Sequence, residues 1–316
     1  MISFPPTFSD VEKAAERIAP FAEKTPVLTC SAINEMAGAE LFFKCENFQK
    51  VGAFKFRGAC NVVFSLTDDE GAKGVATHSS GNHAAALALA GKLRGISVHV
   101  VMPSNAPENK QQAVAGYGAD ITFCEPTLDA RESTLKKIIS DTGAIMIHPY
   151  NDYGIIAGQG TAAFELISDY PDLDTIVAPV GGGGLISGTC IAAKGMKPDI
   201  SIIGSEPQGA DDAFQSLEKG EIVPQIHPQT IADGLLTSLG DKTFPIIQKH
   251  VSQILTVSEN GIINAMRTIW ERMNIIIEPS AAVVLGALLE HPEESIGDKI
   301  GLILSGGNAN LKNLPW

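Results

Sequence analysis

The stretch TIVAPVGGGGLISG, residues 175–188, decides how the chain is read. Thr175 to Val180 form a short apolar run rich in β-branched residues, as a strand covered on both faces requires. Gly181, Gly182, Gly183 and Gly184 follow, and Leu185 opens a helical pattern. Only residues without Cβ let successive backbone amides converge on an anion at a helix N-terminus, so a phosphate is the natural guest. A flexible turn is the plain alternative; the strand before and the helix after favour the nest. No Lys-Ser/Thr pair follows, so this is not a Walker loop. Ser187 stands where a dinucleotide fingerprint wants its third glycine.

Outward from this unit, strand-like runs recur at residues 41–45, 74–78, 98–102, 121–124, 144–148, 201–204, 253–257 and 299–304. Helical patterns lie between most of them, at 84–93, 110–116, 133–140 and 261–273. Such alternation predicts α/β architecture with parallel sheets covered by helices on both faces. A first helix is expected from Ser9 and Glu12, spaced as a capping box, with Val11, Ala14, Ala15, Ile18 and Phe21 at helical spacing. The 316 residues favour two compact units. We expect a small domain at 71–150, inserted into a larger, discontinuous one made of 1–70 and 151–316.

Composition narrows the function classes. The chain is 44% hydrophobic and 19% charged, an ordinary globular balance rather than a disordered one. A net charge of −13 with no Lys/Arg cluster argues against nucleic acid as a partner. No apolar run approaches the ~20 residues that span a bilayer. The first residues lack a basic and then apolar signal pattern, so no membrane association and a cytoplasmic location are expected. Cys30, Cys45, Cys60, Cys124 and Cys190 are widely spaced and odd in number, which predicts free thiols.

In open parallel sheets, ligands bind beyond the carboxyl ends of the strands. The loops expected there carry Ser79-Ser80-Gly81-Asn82-His83, the four glycines, Ser205-Glu206-Pro207 and Ser305-Gly306-Gly307-Asn308. The first is a dense polar loop at a helix start, suited to a carboxylate; capping by one serine would explain only one of its hydroxyls. Glu206 and Asp212 could share a hard cation with backbone oxygens, although two carboxylates alone also suit a solvated loop. Lys55 lies between Phe54 and Phe56. Apolar neighbours lower an amine's pKa, and a neutral amine attacks aldehydes. In isolation such a lysine more often snorkels to solvent.

Taken together, ENFQKVGAFKFRGA, SSGNHAAALALA, AGQGT, VGGGGLISG, EPQGADD, IADG, ERM with IIEPSAA, and LSGGN resemble the fold-type II pyridoxal-phosphate enzymes. Within them the chain is similar to the serine racemase and serine/threonine dehydratase group. The match runs in order from about Val11 to Asn308. It implies the tryptophan synthase β-like fold, two parallel-sheet α/β domains with the active site between them.

The resemblance also implies roles. Lys55 would carry pyridoxal 5'-phosphate as a Schiff base, with Phe54 packed beside the ring. Asn82 would meet the phenolic oxygen, Gly181 to Gly184 and Leu185 the phosphate, and Ser305 the pyridine nitrogen. A neutral hydroxyl there makes the ring a weaker electron sink, which suits elimination or reprotonation. Lys55 would act as base on one face of a small amino acid substrate and Ser80 as acid/base on the other. Ser79, Ser80, Asn82 and His83 would bind the substrate carboxylate, with Arg131 and Ser238 as further candidates. Glu206, Asp212 and the carbonyl of Ala210 would hold a divalent cation, Mg²⁺ or else Mn²⁺ or Ca²⁺. A homodimer is implied. Val51 and Asn274 replace the Thr and Lys that animal serine racemases keep near a nucleotide effector, which argues against ATP regulation. A competing reading, a dinucleotide-binding module built on the glycines and Glu206, leaves Lys55 without a role.

Overall fold

A computed structural model describes every residue except Met1, Ser3, Ser80, Glu293 and Ser295, and Asn109 by its backbone alone. Among the described residues, ten strands form two sheets: β1 (Val27–Leu28), β2 (Glu40–Cys45), β3 (Val75–His78), β4 (Val98–Pro103), β5 (Asp120–Cys124), β6 (Ile145–Met146), β7 (Thr175–Pro179), β8 (Ser201–Pro207), β9 (Gln253–Val257) and β10 (Lys299–Leu304). The larger sheet has the order β1-β2-β10-β7-β8-β9 and the smaller β5-β4-β3-β6. Every pairing is parallel except that of β1 with β2. The fold is therefore α/β with two parallel sheets. Residues of β7 are all buried, as two covered faces demand.

Three local differences from the sequence reading have physical causes. The first helix, Phe8–Ile18, is capped by Thr7 rather than Ser9, because the Thr7 amide and hydroxyl both donate to Asp10 Oδ2 at 2.8 Å. Strand β8 runs on to Pro207, since Ser205 stays in register with Pro179 of β7 and Glu206 with Thr256 of β9. Glu206 thus projects from a strand rather than a loop. Strand β6 shrinks to two residues, because it is an edge strand matched only to Val75 and Ala76 of β3.

The helix Gly184–Met196 packs closely on Tyr153–Asp169. A Cβ on Gly188 would stand 2.4 Å from the Ile156 carbonyl oxygen and 2.5 Å from the Gly160 nitrogen, so only glycine permits this approach. That contact fixes where the glycine run between β7 and its helix must lie. Among the described residues, no helix is long and apolar enough to cross a membrane.

Candidate active site

Lys55 begins the helix Lys55–Ser65. The segment before it is pinned to the loop after β10: Phe54 N donates to Ser305 O at 3.0 Å, Gly307 N donates to Gly52 O at 2.9 Å, and Ala53 bridges Gly306. Two segments some 250 residues apart are thereby joined at the backbone, which brings Lys55 and the buried Ser305 to one rim. Lys55 Nζ donates to the carbonyl of Pro149 at 2.9 Å and lies 5.0 Å from the Phe54 ring centroid. Burial pushes its ammonium down to about 8, with the charge of Glu278 opposing. The neutral amine is the form a nucleophile or base needs, and a pKa of about 8 makes roughly a tenth of it available at pH 7.

Asn82 opens the helix Asn82–Arg94. Its Nδ2 donates to Glu278 Oε1 at 3.0 Å and Oε2 at 3.2 Å, while its Oδ1 accepts from Asn308 Nδ2 at 2.9 Å. Asn308 Nδ2 also donates to Val51 O at 2.8 Å. Val51 has a φ of 58°, a strained value for a β-branched residue, and this turn delivers its carbonyl to Asn308. The amide of Asn82 is thus held at both ends. Glu278 is buried, and burial, reinforced by Asp233, raises its carboxyl to about 7.

The glycine run forms a cradle. Gly183 has a φ of +84°, a left-handed value that turns the chain into the helix starting at Gly184. A Cβ on Gly182 would strike the Tyr150 ring at 2.4 Å, and one on Gly184 would meet Gln159 Oε1 at 2.7 Å. Gln159 is fully buried, and neither its Nε2 nor its Oε1 has a partner. Unpaired amide groups beside free helix N-terminal amides fit a bound anion or its ordered water. The donor set therefore fits a phosphate, with Leu185, also buried, continuing the helix.

The remaining predicted residues divide. Ser79 extends the end of β3 by donating its amide to Val101 O at 3.2 Å, and its Oγ accepts from Gly81 N at 3.4 Å. Ser80 lies outside the described residues. His83 is buried, with Nε2 3.4 Å from Ile147 O and Nδ1 unpartnered, and burial holds it neutral. Arg131 donates from Nε to Thr127 O at 3.3 Å, and its charge helps to lower His78 after burial has done most of the work. Ser238 Oγ accepts from Gln225 N at 2.7 Å, so its hydroxyl already ties two loop segments together. Glu206, Ala210 and Asp212 are all buried. Glu206 accepts from Phe214 N at 2.6 Å and Ala213 N at 3.3 Å, while Asp212 Oδ2 is buried with no partner. Burial raises Glu206 to about 9 and Asp212 to about 7. An orphaned carboxylate oxygen beside a second buried carboxylate fits a cation. Among the described residues, no group of three or more His, Cys, Asp or Glu side chains could ligate a metal, so backbone oxygens would have to complete the set.

Sequence reasoning missed Glu278, Tyr150 and Gln159. Glu278 stands before Pro279 at the helix Pro279–Glu290 and reads as an ordinary helix start. Nothing local signals that it faces Asn82 across 196 residues of sequence.

Comparison with known proteins adds to this geometry. The family model described as "Pyridoxal-phosphate dependent enzyme" matches residues 18–306. The chain is 50% identical to a β-hydroxyaspartate dehydratase of Paracoccus denitrificans (strain Pd 1222), over 98% of this chain and 99% of that one. It is 51% identical to a serine racemase of Dictyostelium discoideum, over 98% of this chain and 96% of the relative. The crystal structure of the Dictyostelium discoideum serine racemase superposes with a TM-score of 0.93, covering 96% of this chain and 99% of that chain. The processed form of threonine deaminase isoform 2 from Solanum lycopersicum is 30% identical with a TM-score of 0.90, over 99% of this chain and 89% of its own.

Proposed function

The chain belongs to the pyridoxal-phosphate dependent enzymes, and on that premise we propose that it racemises serine and also eliminates water from small β-hydroxy amino acids. The cofactor is pyridoxal 5'-phosphate. One observation carries the assignment: Lys55, its ammonium lowered to about 8 and held on Pro149 O, shares a rim with Asn82, Ser305 and the glycine cradle. The dinucleotide alternative offers no use for that lysine.

When bound, the cofactor supplies an electron sink for charge at the substrate's α-carbon. The cradle from Gly181 to Leu185 would hold its phosphate, and Phe54 would pack beside its ring. Asn82, clamped between Glu278 and Asn308, would present its amide to the phenolic oxygen. Ser305, at the end of β10, would offer the ring nitrogen a neutral hydroxyl rather than a carboxylate. Free amides at the start of the helix Asn82–Arg94, with Ser79, would bind the substrate carboxylate. His83, buried and neutral, would serve through its backbone amide rather than as a cation. Lys55 Nζ would take the α-proton from one face. Ser80 is proposed to return a proton on the opposite face, giving the other enantiomer. Departure of the β-hydroxyl instead, as water, leaves an enamine that hydrolyses to a keto acid and ammonia. Arg131 and Ser238 remain further candidates for substrate binding, and the resemblance alone supports a homodimer.

Because the neutral Lys55 amine is the attacking species, covalent reloading of the apoprotein with pyridoxal 5'-phosphate should accelerate about tenfold per pH unit below about 8. Above that pH it should level off. A rate flat from pH 6 to 9 would contradict a titrating Lys55.

Glu206, Asp212 and the Ala210 carbonyl are proposed to hold Mg²⁺ or a similar ion. Turnover of L-serine, L-threonine and L-threo-3-hydroxyaspartate should therefore fall on chelation and recover with Mg²⁺. Chelator-insensitive turnover of all three would remove the cation from the mechanism. The same comparison ranks a second reading, a dedicated hydroxyaspartate dehydratase, favoured by the 50% identity to the Paracoccus enzyme. Keto acid from hydroxyaspartate with no D-serine from L-serine would select it.

A further inference from the structure

Thr243 has no part in the roles assigned above, yet it is fully buried against the glycine cradle. Its hydroxyl donates to the carbonyl of Gly182 at 2.9 Å, the nearer of two acceptors, with the Gly240 carbonyl at 3.2 Å, and accepts from the amide of Gly240 at 2.9 Å. Its own carbonyl accepts from Ser187 Oγ at 3.3 Å. A Cβ on Gly183 would come within 2.9 Å of Thr243 Cβ and Oγ1. The cradle is therefore gripped from outside at both ends, before the helix at Gly182 and one turn into it at Ser187.

Peptide geometry gives this grip a consequence. The Gly182 carbonyl and the Gly183 N–H belong to one planar trans peptide and point in opposite directions. Drawing the carbonyl outward to Thr243 turns the Gly183 N–H inward. Without that hydrogen bond, a peptide flanked by two glycines is free to rotate, since neither residue confines its φ or ψ.

Thr243 is itself held from the lysine side of the site. Asn151 Oδ1 accepts from Lys242 N at 2.9 Å, and Asn151 Nδ2 donates to Asp241 Oδ1 at 2.7 Å. Asn151 N donates to His148 Nδ1 at 2.9 Å, and between these two residues lies Pro149, the acceptor of Lys55. A single run of contacts thus joins the segment that holds Lys55 to the segment that orients the cradle.

We propose that Thr243 is a positioning residue that aims the Gly183 amide at the cofactor phosphate, with Asn151 setting its distance from the lysine end. This rests on the reading of the cradle as the phosphate site. The test uses the full chain with Thr243→Val, Thr243→Ser and Asn151→Ala. It measures pyridoxal 5'-phosphate affinity by titrating the apoproteins, the ³¹P resonance of the bound cofactor, and the melting temperature with and without cofactor.

Thr243→Val, which keeps the shape and loses the hydroxyl, is expected to weaken cofactor affinity about 5- to 10-fold, the effect of roughly one hydrogen bond. It should also move the ³¹P resonance and shrink the cofactor-induced rise in melting temperature. Thr243→Ser should stay within about twofold, with the resonance in place. Asn151→Ala should weaken affinity about 2- to 3-fold and move the resonance in the same direction, and it decides the matter if Thr243→Val does not fold. Unchanged affinity and resonance in the folded variants would overturn the proposal. So would equal losses of melting temperature in apo and loaded forms, the mark of a merely structural threonine. A wild-type protein with no bound ³¹P resonance and no cofactor-induced stabilisation would instead overturn the phosphate reading itself.

Discussion

Lys55→Ala is expected to lose turnover by about 10⁴-fold or more, the upper end of what a positioned proton-transfer group supplies. The loss should be this large because, on the proposed reading, one side chain would both anchor the cofactor and work as the base. Both uses need an amine that is neutral near physiological pH. Desolvation at the start of the helix Lys55–Ser65 moves the amine toward that state, lowering the ammonium to about 8, so that roughly a tenth of it is neutral at pH 7. Lys55→Arg should fare no better, because a guanidinium cannot shed its proton in this range. The glycine cradle survives both changes, so the variants should still take up the cofactor, without the lysine-linked chromophore. Absorption spectra of the purified variants and steady-state rates check the two halves separately. A variant that keeps the chromophore would place the linkage on another lysine.

Arg57→Met should cause a large loss of stability. Arg57 follows Lys55 by two residues, and its side chain is fully buried. Its Nε and Nη2 donate to Glu46 at 2.7 and 2.8 Å, and Nη1 and Nη2 to Glu165 at 2.7 and 2.8 Å. Lys44, also fully buried, reaches Glu165 at 2.6 Å and Thr25 O at 2.8 Å. Two cations thus face two carboxylates, and removing Arg57 leaves Glu46, whose side chain is completely buried, without a paired cation and with only the Thr25 hydroxyl donating to it at 2.5 Å.

Breaking such a set from one side costs about 3–5 kcal/mol. At about 2–4 °C per kcal/mol this lowers the apparent melting temperature by roughly 10 °C. Arg57→Lys should recover only part of the loss, because an ammonium cannot pair with both carboxylates as the planar fork does. The pH sign also follows. Arg57 draws the carboxyl of Glu46 below its usual range despite burial. Its folded pKa lies below the unfolded value of about 4.5, so this contribution is full above that pH and is lost as the pH falls through the folded pKa. Thermal melts of the three proteins from pH 3 to 7 measure both effects. A change in melting temperature of under about 2 °C for Arg57→Met, or a loss that does not depend on the carboxylates' charge, would show that the cluster is not the clamp described.

Much of this was legible in the sequence, for identifiable reasons. Strands buried on both faces give apolar runs that stand out, and β9 and β10 fall where the pattern places them, at Gln253–Val257 and Lys299–Leu304. The helix Pro279–Glu290 was illegible because Ser280 to Leu288 are all buried, which erases the amphipathic stripe that marks a surface helix. The antiparallel strand β1 is only two residues long, too short for any period. At the site, the glycine cradle announced itself through backbone chemistry. Lys55 did so only in company, since desolvation depends on neighbours distant in sequence. Glu278 and Thr243 were hidden for the same reason: each acts through a contact made by the fold. Arg57 belongs with them, because a basic residue two positions after Lys55 gives no local sign that it is buried with two carboxylates.

On the proposed reading, one rim built around Lys55 would both reprotonate and eliminate. The most direct measurement is the fate of L-serine on the cofactor-loaded protein with Mg²⁺, with D-serine and pyruvate quantified in the same reaction. Both are expected to form, and both to vanish in Lys55→Ala. Pyruvate without D-serine would contradict the racemase assignment, and neither product from a protein that carries the lysine-linked chromophore would contradict the shared rim altogether.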